Sequence, residues 1–284
     1  MSQIPEETVE GGPGGAIVAI TDPGEVGRAT HNRGDRFVVA VSNLFSWLFP
    51  ILMVAIVVQV LLRNFGRMGV GPGNQAWLDD LQWWLYGAAV LIGVAYAVTT
   101  NSHVRVDIFY DGFSTRKQRK IDIFGLAWLF LPFTILCWDV TLAYALQSIA
   151  ANEGSSSPNG LHGLYYLKSF VNLAFLLIAL ATWFAYVRML SQLMQPLWWR
   201  KLLYAFPGVA FVVNLAFYYA ALGVVLMTSE EGTTARQAQR HWIFDTIELP
   251  LNQEMKITVL VTLILTVLLI AAAYVLRDKS EETA

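Results

Sequence analysis

The sequence predicts an all-α polytopic integral membrane helical bundle. It has a four-span core and a C-terminal two-span extension, six spans with both termini cytoplasmic. Three observations carry that prediction. The 284 residues are 56% hydrophobic and only 14% charged, against roughly 25% charged in a soluble domain. Six apolar runs reach the roughly 20 residues that a span needs. The basic residues are segregated by loop. The net charge of −2 gives no nucleic-acid signal. Cys137 is the sole cysteine and lies inside an apolar run, which excludes disulfides and CxxC metal sites. The expected organisation is a disordered cytoplasmic tail over 1–36, a membrane domain over 37–190 and an extension over 191–284.

The tail is polar and Gly-rich, GGPGG included, and no short apolar run makes it a signal peptide. Span one is Phe37–Leu62, free of formal charge, with Pro50 as a kink that neighbouring helices can accommodate. After it, Gly71-Pro72-Gly73 reads as a turn and Asn74 as an N-cap. Trp77, Leu78, Leu81, Trp84 and Leu85 then recur at helical spacing opposite Gln75, Asp79, Asp80 and Gln82. That pattern fits an amphipathic helix in the outer interface, or equally a solvated first turn of span two.

Span two is Leu81–Thr100. Its Ala89-xxx-Gly93-xxx-Ala97 stripe permits close contact with another helix. Span three is Ile121–Ala150, with Pro132 and the acid Asp139. Span four is Phe170–Leu190. Span five is Leu203–Met227, with Pro207, and Asn214 and several tyrosines dilute it. Span six is Ile257–Leu276, without charge. Between spans five and six, Ala235, Ala238 and Trp242 are spaced for a short amphipathic helix. No internal repeat is visible.

Lys and Arg set the orientation. With the N-terminus inside, thirteen of the nineteen fall on cytoplasmic segments and six on outer ones, which the positive-inside rule requires. Trp77, Trp83, Trp84, Tyr165, Tyr166, Trp198 and Trp199 sit near span ends, where amphipathic rings prefer the interface.

The segment Asn101–Gly125 links the two most tightly connected spans and holds Arg105, Arg116, Lys117, Arg119 and Lys120. Val104, Val106 and Ile108 alternate with His103, Arg105 and Asp107, a period of two that predicts an extended stretch. Thr115-x-x-Gln118 has the form of a capping box that starts span three.

Little in the chain is built for chemistry. The four histidines, His31, His103, His162 and His241, lie outside the predicted spans, which disfavours axial haem ligation within a membrane anchor. No GxSxG, HExxH or P-loop pattern is present, so no enzyme, metal site or cofactor is expected. Asp139 is the one ionisable residue well inside a predicted span. Such groups are functional or paired; the more economical reading is a hydrogen bond to a neighbouring helix or subunit. A transporter carrying its own substrate shows broken helices and several convergent polar groups. Their scarcity points to a partner subunit.

HVRVDIFYDGFSTRKQR after an apolar span resembles the signature of the small membrane subunit of TRAP (tripartite ATP-independent periplasmic) transporters, the DctQ-like family. Leu62-Arg63-Asn64-Phe65 is similar to that family's end of span one, and Trp77-Leu78-Asp79-Asp80-Leu81 to its start of span two, with Asp80 where glutamate is usual. Ser157-Pro158-Asn159-Gly160-Leu161 followed by Leu167-Lys168 resembles the mannitol/chloroaromatic-type branch. The resemblance covers about residues 37–190 and departs after Leu190, where two further spans follow.

The resemblance implies a bacterial inner-membrane scaffold subunit. Its partners would be a large TRAP permease subunit that carries substrate and sodium, a periplasmic substrate-binding protein that delivers an organic, commonly carboxylate, solute, and membrane lipid. His103, Arg105, Asp107, Arg63, Asp80 and Asp139 are the candidate residues for the subunit or lipid interface. The competing expectations are an autonomous transporter or channel, which would move solute alone in liposomes, and a redox membrane anchor, which would show a haem spectrum.

Overall fold

The computed structural model describes residues 28–102, 110, 112–229, 233–249 and 253–277. Among these residues, six helices are long and apolar enough to cross a membrane. They run alternately between two ends of the bundle. One end collects Arg36, Arg116, Lys117, Arg119, Lys120 and Lys201 and is called the basic end below.

The first span is two helices, α1 (Arg33–Phe45) and α2 (Leu48–Arg67). Helix α1 starts inside the stretch expected to be tail, and a 3₁₀ turn over Arg28–Thr30 precedes it. Asn32 explains that start. Its side chain accepts from Asp35 N at 2.8 Å, and Asp35 Oδ2 accepts from Asn32 N at 2.9 Å, a complete capping box. The break at Ser46–Trp47 follows from Pro50. Proline cannot donate to Ser46 O four residues back and its ring crowds that carbonyl, so Phe49 N turns to Ser46 O instead, at 3.1 Å. The kink therefore lies one turn before the proline.

Helix α3 (Ala76–Thr100) is continuous. The expected interfacial segment is simply its first turn, and span two begins at Ala76 instead of Leu81. Asn74 does not cap it: Gln75 occupies the N-cap, without a side-chain bond. Asn101 closes the other end in the left-handed conformation, φ 57°, as C-terminal caps often do.

Helix α4 (Thr115–Ala150) contains a π-helical turn at Gly125–Phe130, immediately before Pro132. Ser114, not Thr115, is its N-cap. Gln118 reaches back to Tyr110 O at 2.9 Å, and Tyr110 OH donates to Asp122 Oδ2 at 2.6 Å, so no capping box forms there. Helix α5 (Leu164–Ser191) begins six residues before the expected Phe170 and takes Lys168 into the helix.

A short helix α6 (Trp198–Tyr204) precedes α7 (Phe206–Thr228), divided at Ala205 next to Pro207. The expected amphipathic helix in the following loop is a single turn, α8 (Ala235–Ala238), which buries Ala238. Trp242 lies in a separate 3₁₀ turn, Trp242–Phe244, and is exposed. An antiparallel hairpin that periodicity did not reveal, β1 (Thr246–Leu249) with β2 (Gln253–Lys256), feeds α9 (Ile257–Val275). Its register sets Glu248 against Glu254.

The core has two parts. One packs Val38 of α1, Ile92 and Ala95 of α3, and Ala174, Ile178 and Ala181 of α5. The other packs Ala127, Leu131 and Ile135 of α4 with Tyr186 and Leu190 of α5 and Val209 of α7. The last two helices are thus joined to the other four by a shared core. Gly208 marks the closest approach, since a Cβ there would lie 2.6 Å from Leu131 Cδ2. The Ala89/Gly93/Ala97 stripe is not a continuous packing seam: Ala89 is buried, but Gly93 is exposed. A Cβ on Gly93 would meet nothing within 4 Å, while Ile92, Ala95, Val98 and Thr99 are buried.

Candidate functional site

The polar side chains that an apolar bundle must satisfy fall into three groups. At the basic end, Arg188 of α5 is buried. Its Nη2 donates to Thr99 O at 2.7 Å, and its Nη1 lies 2.8 Å from Asp35 Oδ2, with an angle too poor for a hydrogen bond. Asp35 is wholly buried. Both charges suit their positions. Arg188 meets one of the last carbonyls of α3, and Asp35 sits in the first turn of α1, the two places where a helix dipole favours those signs. Asn32 Nδ2 also donates to Phe184 O at 3.1 Å. Burial, then Arg188, lowers the His31 pKa, so that ring is neutral at pH 7.

At the opposite end, Gln59 of α2 is 3% exposed and donates to Asn74 Oδ1 at 2.7 Å and Asp79 Oδ1 at 2.9 Å. A buried amide without such partners would cost about 1–3 kcal/mol. This is what Asn74 does in place of capping α3. Arg63 Nη2 reaches Asn74 Oδ1 at 3.2 Å and lies 4.0 Å from Asp79 Oδ1. Arg63 and Asp79 are 50% and 41% exposed, so their attraction contributes little. Asp80 Oδ2 accepts from Leu161 N at 2.9 Å and holds the Ser157–Leu161 turn against the start of α3.

In the same region Lys168 Nζ donates to Glu153 Oε2 and lies 3.7 Å from the centre of the Tyr144 ring. The hydrogen bond from Lys168 holds the Glu153 carboxyl below the usual carboxylate range. A depressed folded-state value stabilises above the unfolded one, about 4.3, and that contribution is lost as pH falls through the folded value. Melting temperatures of the purified protein should fall more steeply below about pH 4 for the wild type than for Glu153→Gln. Parallel profiles would show that this pair does not act on stability.

The third group is at mid-bundle. Asn172 Nδ2 donates to Trp138 O at 2.6 Å and to Thr141 Oγ1 at 3.0 Å, tying α5 to α4. Asp139 Oδ1 accepts from Tyr219 OH of α7 at 2.5 Å. Asn214 of α7 donates to Thr262 Oγ1 of α9 at 3.0 Å. Thr258, Thr262 and Thr266 form a buried stripe that faces inward from α9, and the last two hydroxyls bond back to the carbonyl four residues before.

The predicted site residues are therefore dispersed. Arg63 and Asp80 belong to the network opposite the basic end, Asp139 lies at mid-bundle, and His103, Arg105 and Asp107, with their extended segment, fall outside the described residues. Sequence reasoning missed Asp35 and Arg188, the most deeply buried ion pair among the described residues. The signal was Arg188 within an apolar run, counted there as a loop charge; Asp139 is therefore not the sole ionisable group within a span. Lys168 with Glu153 was missed because Lys168 was placed before the span.

Among the described residues no group of three His, Cys, Asp or Glu side chains is placed to hold a metal ion. Among the described residues the arrangement binds helices to one another. Residues 52–188 match the family model described as "Tripartite ATP-independent periplasmic transporters, DctQ component". The matched segment is just under half of the chain and runs from α2 to the last turn of α5. No curated protein and no solved structure matches the chain significantly. The matched family is a component of membrane transporters, and the six helices are long and apolar enough to cross a membrane.

Proposed function

We propose that this chain is the scaffolding small subunit of a TRAP transporter. It supports a large permease subunit in sodium-coupled, binding-protein-dependent uptake of an organic, carboxylate-bearing solute. The observation that carries this reading is the match over residues 52–188. The polar groups agree with it. Gln59, Asp80, Asp139, Asn172 and Asn214 each bond to a side chain or backbone group of another element, as a static support requires. The Ser157–Leu161 turn is the ground for assigning the mannitol/chloroaromatic-type branch. The four-span unit over 37–190 is the assembling core, and 191–284 adds membrane-embedded bulk around it. Arg105 and Asp107, with His103, Arg63, Asp80 and Asp139, serve assembly at the subunit or lipid interface and not catalysis.

Reconstitution tests the reading. The chain alone in liposomes should move no solute. Co-expression with a large permease subunit should allow the two to be purified together, and uptake should appear only when a binding protein is added. Uptake by the chain alone would favour an autonomous transporter.

The orientation follows from the thirteen-to-six distribution of basic residues. Alkaline phosphatase fused after Glu231 should be active, and after Gln118 inactive. The reverse pattern would place the basic end outside.

A further inference from the structure

An apolar cavity of about 570 Å³ lies between α4, α5 and α7, with Leu269 of α9 also in its lining. Its walls are almost entirely hydrocarbon, with Leu131, Trp138 and Trp183 on the inner side. Leu176, Leu180 and Val212 on its rim are exposed, so it opens on the flank of the bundle. Gly208 and Tyr219 bound it along α7. At 1.5 Å per residue they are about 16 Å apart, close to half of the roughly 30 Å hydrocarbon core, or one leaflet.

The two ends differ. Tyr219, bonded to Asp139, closes the mid-bundle end. Leu202 of α6 lines the cavity as well, and the same short helix carries Arg200 and Lys201, which lie beside the cavity and not in its lining. Trp198 lies under Lys201 Nζ at 4.3 Å, and Trp199 packs edge-on to Tyr274 at 5.3 Å; amphipathic rings of this kind favour headgroup level. An apolar slot one leaflet deep, beside a short helix that carries aromatic rings and two cations, has the chemistry of a single lipid molecule.

We propose that this cavity is a binding site for one anionic phospholipid. One acyl chain lies along α7 from Gly208 to Tyr219, and the phosphate meets Arg200 and Lys201. The match of charge selects an anionic headgroup over a zwitterionic one. The occupied slot fills the space between the helices that follow Ser191 and the matched segment, so the lipid acts as an interhelical filler. The site stands whether or not the chain serves a transporter.

Native mass spectrometry of the full chain in detergent tests it, with phosphatidylglycerol and phosphatidylcholine as probes. The wild type should keep one phosphatidylglycerol through delipidating washes and prefer it over phosphatidylcholine by about tenfold or more. Ala216→Trp, at an exposed position lining the cavity, should abolish retention. Val224→Trp, likewise exposed on the same helix but away from the cavity, should leave it unchanged and controls for folding. Arg200→Gln with Lys201→Gln should keep a bound lipid but remove the preference. A photo-crosslinker at Val212 in native membranes should label phospholipid. The proposal is overturned if the wild type keeps no lipid, if Ala216→Trp keeps as much, or if the crosslinker labels a polypeptide instead.

Discussion

Arg188→Leu is expected to lower the stability of the purified protein by about 3–5 kcal/mol, the usual cost of removing one partner from a buried ion pair. Asp35 is fully buried, and Arg188 is the cation beside it. Without the guanidinium, a carboxylate is left in an apolar environment and the Thr99 carbonyl loses its donor. The double variant Asp35→Asn with Arg188→Leu removes the stranded charge. The amide it introduces keeps a side-chain oxygen that can accept from Asn32 N, so this variant should recover most of the loss. Thermal unfolding of the three proteins in one detergent measures this. If the single and double variants melt together, the pair is not coupled. If both melt like the wild type, α1 is held to the bundle by its apolar face alone.

Gly208→Val is expected to cost about 1–3 kcal/mol, the range for overpacking a filled core. The added Cβ would lie 2.6 Å from Leu131 Cδ2 and 2.9 Å from its Cγ, and Leu131 is itself buried between α5 and α7. Gly93→Val in the same isolated subunit should fall within about 0.5 kcal/mol of the wild type, as changes away from packed features do, because the space there is open. Adding Leu131→Ala to Gly208→Val should relieve part of the cost, which a double-mutant cycle would register as a coupling of about 0.5–3 kcal/mol. Equal melting temperatures for the Gly208 and Gly93 variants would mean that α7 moves away from α4 at little cost.

These two glycines show where the sequence could be read and where it could not. Both occupy spans, and by spacing the Ala89/Gly93/Ala97 stripe was the stronger packing signal. A helix carries the same small-residue pattern whether a neighbour or lipid covers it, because in hydrocarbon neither face has a solvation preference. Only the placement of α4 against α7 assigns the contact to Gly208. The same reasoning covers Arg188. Its charge was visible and so was the apolar run around it, but its partner Asp35 is 153 positions earlier, and nothing local links the two. Tyr219 was likewise invisible as the partner of Asp139, since only the packing of α7 on α4 brings them together.

The sequence by itself determined the class of this protein. Six apolar runs, a low charge content and basic residues segregated by loop define a helical membrane bundle, because hydrocarbon forces each span to satisfy its own backbone. It also determined the resemblance to DctQ-like subunits, because the motif beside the second span is a local string, and the match over residues 52–188 bears out that part. The tertiary structure decided what each polar residue does. It turned Asn74 from a cap into the partner of Gln59, and it carried the helix at Arg33 into the expected tail through the Asn32–Asp35 capping box. The physical reason is the range of the forces. Insertion depends on the composition of about 20 consecutive residues, whereas a buried charge or amide is stabilised only by whichever atom of another helix lies within about 3 Å of it.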